Sequence, residues 1–403
     1  MSKKGGLLKL DWNKVCKSLL AVACAVPFMW GGKVAAEPVV KWEETYENLN
    51  GVMKHGKDGL YFAQLTGDEI KLVQMNESGK VVDHETFAKK EIGTLASFTQ
   101  KKKGGYVFAG WTESKKLYLM EVDKSGVLQW EKTLEKDYSD LGYSVDLAEL
   151  QDGNIVLAAE TDLYDYYIQN DIYLAKLTNN GEIQWDKKIG DYDYYDKVSR
   201  VVPTQDGGFL FLGELGTAEY TELNYDNYTD MYAVKFDSSG NQEWDKQYES
   251  NRNTEPKDAI ETADGGFLIA ANNYTDYIVE DVDGYVDGYY MKLDKSGKLE
   301  WEANLPRALS NTRINDIQQT EDGGFILAGR ADYGIDWSSY STIKHAYLRK
   351  IDQTGQVEWE NVIEKDDRAI ESAAVFQTEA GGYVSVIKEE SKNLWHIAKV
   401  SEQ

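Results

Sequence analysis

Four stretches of this chain are dense in tyrosine, aspartate and asparagine: ETDLYDYYIQN (160–170), ELGTAEYTELNYDNYT (214–229), ANNYTDYIVEDVDGYVDG (271–288) and GRADYGIDWSSYSTIK (329–344). KDYSDLGY (136–143) and GDYDYYDK (190–197) share the composition. Tyrosine gives broad amphipathic contact area with few rotors, and binding surfaces favour it for that reason. Aspartate and asparagine add directional acceptors. A ring face for stacking beside acceptors for hydroxyls is what sugar recognition needs. The candidate ligand-binding residues are Tyr164, Asp165, Tyr166, Tyr167, Asp191, Asp193, Tyr194, Tyr195, Tyr225, Asp226, Tyr274, Asp276, Tyr333, Asp336 and Trp337. The competing reading is a set of solvated, variable loops whose tyrosines pack on one another.

Within DVDGYVDG (281–288), Asp281, Asp283 and Asp287 with a turn at Gly284 could ligate Ca²⁺. The segment lacks the distal bidentate glutamate of an EF-hand loop, so the match is partial. No other cofactor is expected. The four histidines, His55, His84, His345 and His396, form no metal-ligand pattern. No G-x-S-x-G elbow and no phosphate loop occur, which argues against a serine hydrolase of that type or a nucleotide enzyme. Paired carboxylates could serve a glycosidase, but so acidic a chain supplies such pairs by chance.

The elements that would present these stretches repeat. T-x-D-G-G-F starts at Thr204, Thr262 and Thr320, and the variant TEAGGY at Thr378, each a step of 58 residues. QDGN (151), KGGY (103) and KDGL (57) are weaker copies. An alternating segment follows, such as DIYLAKL (171–177) or HAYLRKI (345–351). A third phrase closes each unit: EVDKSGVLQW, KLTNNGEIQW, KFDSSGNQEW, KLDKSGKLEW and KIDQTGQVEW, with QMNESGKVVD carrying Asp83 in place of Trp. D-G-G and D-x-x-G are tight-turn chemistry, and their flanks alternate as strands do. A unit therefore reads as four strands, A to D, and seven A–B turns imply seven units. The seventh stops after strand C, LWHIAKV (394–400), while a spare strand D, 40–46, opens the chain. The expected fold is all-β: a seven-bladed β-propeller of four-stranded antiparallel blades over 37–403, with strand 40–46 completing the blade that contains 394–400. Closure removes an exposed sheet edge.

The recurring tryptophans, Trp130, Trp185, Trp244, Trp301 and Trp359, read as blade-to-blade packing rather than as sugar platforms. These T-x-D-G-G-F and D-x-x-G-x-x-x-W units resemble those of secreted bacterial β-propeller repeat proteins, and more distantly the quinoprotein propellers. The resemblance spans essentially all of 37–403 and implies a fold more than a role, because propellers host many functions. The quinoprotein tryptophan motif has one more residue between its Asp and Gly, and the adjacent cysteines of quinone sites are missing here. No cofactor and no catalytic residue is carried over.

Residues 1–36 read as a secretory signal peptide: Lys3, Lys4, Lys9, Lys14 and Lys17, an apolar run from Leu19 to Trp30, then Val34-Ala35-Ala36. A lipoprotein signal retaining Cys24 is the alternative. Both cysteines, Cys16 and Cys24, fall in this segment, so the rest of the chain holds no disulfide and no thiol nucleophile. Without residues 1–36, which carry six lysines and one aspartate, 38 basic and 68 acidic residues remain, a net charge of −30. That field repels nucleic acid and anionic membranes. No second hydrophobic span is present. The expectation is a secreted or cell-surface monomer that binds an extracellular glycan or protein without catalysis. The alternatives are a carbohydrate-active enzyme using loop carboxylates, and a scaffold subunit of an envelope assembly.

Overall fold

The T-x-D-G-G-F phrase is a hairpin held by its own side chains. In the fourth unit Thr204 Oγ1 donates to Asp206 Oδ1 (2.5 Å), and the Gly208 N–H donates to the same oxygen (2.8 Å). Gly207 takes φ 86°, and a Cβ on Gly208 would lie 2.1 Å from the Phe236 carbonyl oxygen, so the second glycine is there for close approach. The other carboxylate oxygen of Asp206 accepts from the buried Lys235 of strand C (2.7 Å), which also reaches Glu243 on strand D (2.9 Å). A buried ammonium requires such partners. Lys292 with Asp264 and Glu300, and Lys350 with Asp322 and Glu358, repeat the arrangement.

At the D-x-x-G turn, Asp237 Oδ1 accepts from the N–H groups of Ser239 and Asn241 (2.8 Å each). The tryptophan after each turn lies on the glycine of the next blade's turn. A Cβ on Gly181, Gly240, Gly297 or Gly355 would fall 2.5, 2.3, 2.8 or 2.9 Å from Trp130, Trp185, Trp244 or Trp301 respectively. Trp130 and Trp244 also donate to the carbonyls of Asn179 (3.0 Å) and Lys295 (2.9 Å). Where Asp83 replaces tryptophan, Phe87 meets Gly126 instead, at 3.4 Å from a Cβ built there.

This computed structural model describes residues 38–401 apart from 48, 50, 57, 135–143, 163–169, 191–195, 222–223, 249–252, 276–284, 306–310, 337–340, 366–368, 380, 390–391 and 393. It contains seven sheets of four antiparallel strands, and neighbouring blades bury the core between them. The A strands are Val52–Gly56, Thr94–Gln100, Val145–Glu149, Lys197–Pro203, Asn253–Glu261, Thr312–Gln319 and Ile370–Gln377, and A strands of successive blades touch from blade 1 through blade 7. In the last blade Val39–Glu47 pairs with Leu394–Ser401, so the first strand of the chain is the outer strand of blade 7. Tyr46 of that strand reaches the Gly79 carbonyl of blade 1 (3.3 Å). His396 is fixed there by Thr45 (2.9 Å) and Glu389 (3.0 Å).

The segments between strands B and C differ from the expectation of loops. In blade 4, Phe209–Thr221 pairs with Asn224–Phe236, and in blade 6, Phe325–Asp336 with Ser341–Ile351. Tyr225, Asp226, Tyr333 and Asp336 are thus strand residues. The hydrogen-bonded ladder satisfies backbone groups that a loop would leave to solvent, and the many tyrosines and threonines suit a strand.

Candidate functional site

In this strand order the B–C and D–A connections leave one face of the ring, and the A–B and C–D turns leave the other. The first face carries the described tyrosine-rich strand ends of blades 4 to 6. Tyr164, Asp165, Tyr166, Tyr167, Asp191, Asp193, Tyr194, Tyr195, Asp276 and Trp337 lie outside the described residues, as do Asp281 and Asp283. Tyr225, Asp226, Tyr333 and Asp336 are placed by their backbone on the extended hairpins. Asp287 is buried and faces Asn273 across the blade 5 ladder. Among the described residues no group of His, Cys, Asp and Glu is arranged to hold a metal ion.

Tyr274 is the one tyrosine candidate described in full. It pairs in register with Asn253 at the start of strand A of blade 5. Its hydroxyl donates to Glu255 Oε2 (2.5 Å), and Glu255 is paired in turn with Lys257. The Arg313 guanidinium of blade 6 lies 5.6 Å from the Tyr274 ring centroid. Lys197 and Glu214 of blade 4 form an adjoining ion pair (3.2 Å). Burial, and then the hydrogen bond to Glu255, raise the phenol of Tyr274, so it remains a neutral donor. Burial pushes Glu255 upward, yet its bonds from Lys257 and Tyr274 outweigh this and hold it below its ordinary value. The arrangement is a polar cluster with one aromatic ring, beside the long hairpins of blades 4 and 6.

A second constellation, missed in the sequence, fills the axis of the ring. Asp146, Arg200, Asp258 and Asp316 occupy one position in blades 3 to 6, six residues before the turn aspartates Asp152, Asp206, Asp264 and Asp322. Asp146, Asp258 and Asp316 are 4 %, 2 % and 4 % exposed. Their Oδ2 atoms accept the N–H groups of Val201 (2.9 Å), Ile317 (3.2 Å) and Val375 (2.8 Å), each on the A strand of the next blade. Arg200 pairs with Asp258 (2.7 Å), Lys54 with Asp146, and His55 Nε2 with both oxygens of Asp316 (3.0 and 3.1 Å). Ser97 donates to Asp146 (3.2 Å), and Asp316 lies close enough to Asp258 to act on its charge.

Lys54 and His55 of blade 1 therefore bind blades 3 and 6 across the axis. Burial and the neighbouring Asp316 push Asp258 up to about 6 against the pull of Arg200. Burial also works against ionised Asp146 and Asp316, but Lys54 and Arg200 for the one, and His55 for the other, hold them below the usual carboxylate value. A partial signal for this cluster existed: an aspartate or arginine recurs six residues before the turn aspartate in four successive units.

No protein-family model matches the chain, and no curated protein matches it in sequence. Solved structures do match in fold. An ulvan lyase, a polysaccharide lyase bound to -[GlcA(1-4)Rha3S]-, aligns with TM-score 0.56 and 11 % identity over 90 % of this chain and 93 % of its own. A lectin from Burkholderia pseudomallei aligns with TM-score 0.50 and 7 % identity over 84 % of this chain and 96 % of its own. At such identities the likeness is one of fold.

Proposed function

We propose that this chain is an exported, non-catalytic protein that recognises an extracellular glycan through the tyrosine-rich face of blades 3 to 6. Residues 1–36 act as its secretory signal. The observation that carries the reading is the asymmetry of the ring. One face is built from minimal turns, while the other carries Tyr-, Asp- and Asn-rich sequence between strands B and C of four consecutive blades, raised as long hairpins in blades 4 and 6, around a floor where the Tyr274 hydroxyl is already oriented by Glu255. Aromatic faces beside fixed polar groups suit the alternating apolar and hydroxylated faces of a sugar. That a lectin and a polysaccharide lyase share the fold agrees with this choice of ligand. The second reading, a carbohydrate-active enzyme, is favoured by the Tyr274–Glu255–Arg313 contact, where a phenol, a carboxylate and a cation converge.

The test is a pull-down of the producing organism's envelope, before and after protease, with the wild-type chain and with Tyr166→Ala, Tyr194→Ala and Tyr274→Ala combined. The reading expects binding that survives protease and is lost in the variant while the variant still folds. Binding abolished by protease would replace the glycan with a protein partner. Turnover of the bound glycan, lost on Glu255→Gln with binding retained, would favour the enzyme.

A further inference from the structure

Arg313 stands apart from the other cations of its neighbourhood. Lys197 is matched by Glu214, Lys257 by Glu255, and Arg330 by Asp332 (2.9 Å) and Glu371 (4.0 Å). Among the described residues Arg313 has no carboxylate partner, and its Nε is buried without a hydrogen-bond acceptor. It is also the direct register partner of Arg330 across strands A and B of blade 6. Like charges directly opposite each other weaken a sheet unless counter-charges lie close. Arg330 has its counter-charges, and Arg313 has an aromatic ring.

A guanidinium without a carboxylate partner among the described residues is conspicuous in a chain of net charge −25. It sits over Tyr274, beside strands of blades 5 and 6. A guanidinium on an aromatic face keeps the donors at its edge free, and its planar fork matches an oxyanion in bidentate fashion.

We propose that Arg313, supported by Tyr274, is the subsite for the anionic group of an acidic sugar, a carboxylate or a sulfate. This rests on the glycan reading and narrows it: the ligand is an acidic glycan, and Arg313 determines the specificity. The acidic field of the protein repels polyanions at long range, so selectivity comes from this short-range pairing.

The experiment is isothermal titration of the full chain, at physiological ionic strength, with an oligogalacturonate, its methyl ester and a sulfated oligosaccharide of equal length. Arg313→Gln and Arg313→Lys are compared with wild type, and their thermal unfolding is checked first. The free acid, the sulfated sugar or both should bind at least about tenfold more tightly than the ester, as expected for one charge-assisted pair. Whichever acidic sugar binds names the anion. Arg313→Gln should erase the preference, and Arg313→Lys should keep part of it. Binding of both acidic sugars no tighter than the ester by wild type, or a preference that survives Arg313→Gln, would overturn the proposal. If none of these probes binds while the protease-treated envelope does, the acidic-sugar inference falls and the glycan reading stands. If neither binds, both fall.

Discussion

Replacing Asp258 by asparagine should change how the stability of the ring depends on pH. Burial and the adjacent Asp316 raise this carboxyl from 3.8 to about 6, against the opposing charge of Arg200. A difference of about two units corresponds to about 3 kcal/mol. Because the folded value is the higher one, the stabilisation is complete below the unfolded value of 3.8 and is lost as pH rises through about 6. His55 acts in the same direction. Burial works against its charge, but Asp316 prevails and raises it above 6.5, so its contribution is also lost as pH rises through the folded value. Asp146 and Asp316 are lowered and act oppositely, losing their contribution only as pH falls below 3.8. The wild-type protein should therefore unfold at higher temperature near pH 5 than near pH 7.5. Asparagine mimics the protonated acid, so Asp258→Asn should lack its share of that gain. Thermal unfolding from about pH 4 to 8 gives the two profiles, and the general repulsion of an acidic chain cancels in their difference. The account predicts a difference that is flat above about pH 7 and moves by about 3 kcal/mol in favour of wild type as the acid side is entered. Parallel profiles would refute the shared burial of Asp258 and Asp316 as the cause.

The turn glycines should separate strain from collision. Gly207→Ala has open space, with a Cβ 3.6 Å from Ser238, and meets only its φ of 86°, so a loss of about 1 kcal/mol is expected. Gly208→Ala drives a Cβ to 2.1 Å from a backbone carbonyl and should cost about 3 kcal/mol or more, measured by urea unfolding. Trp185→Ala removes a ring that stacks on Phe209 and covers Gly240, and should cost about 3 kcal/mol in the same assay. A chain lacking residues 37–48 should melt lower and associate in light scattering, because Leu394–Ser401 becomes a bare edge. Melting and mass equal to those of the intact chain would contradict ring closure by the first strand.

Ring closure, the turns and the packing tryptophans were legible because each is written at a fixed offset within one unit. Asp206, Gly207 and Gly208 act within a single hairpin, and Trp185 acts on the next copy of the same turn. The recurring position of Asp146, Arg200, Asp258 and Asp316 was visible in the repeat, but its pairing was not legible, because the pairs join residues 92 apart (Lys54 and Asp146) and 261 apart (His55 and Asp316). Lys54 and His55 also lie in the most divergent unit, where nothing in the repeat marks them. Phe87 standing in for the missing tryptophan at Asp83 is visible only once strand D is placed against Gly126. The candidate site was half legible. Composition located the tyrosine-rich face, but Tyr225 and Tyr333 extend hairpins that the same composition had suggested were loops. Arg313 gave no signal in the sequence, since its distinction is that no carboxylate pairs with it among the described residues.

The central claim is that one face of this propeller, over blades 3 to 6, meets a glycan. Hydrogen exchange of the full chain, with and without the glycan fraction of the protease-treated envelope, tests it most directly. The account predicts protection concentrated in 214–229, 271–288 and 329–344 and at the start of the blade 5 and blade 6 A strands, with the opposite face unchanged. Protection confined to the A–B and C–D turns or to the outer strands, or none despite saturating glycan, would contradict it.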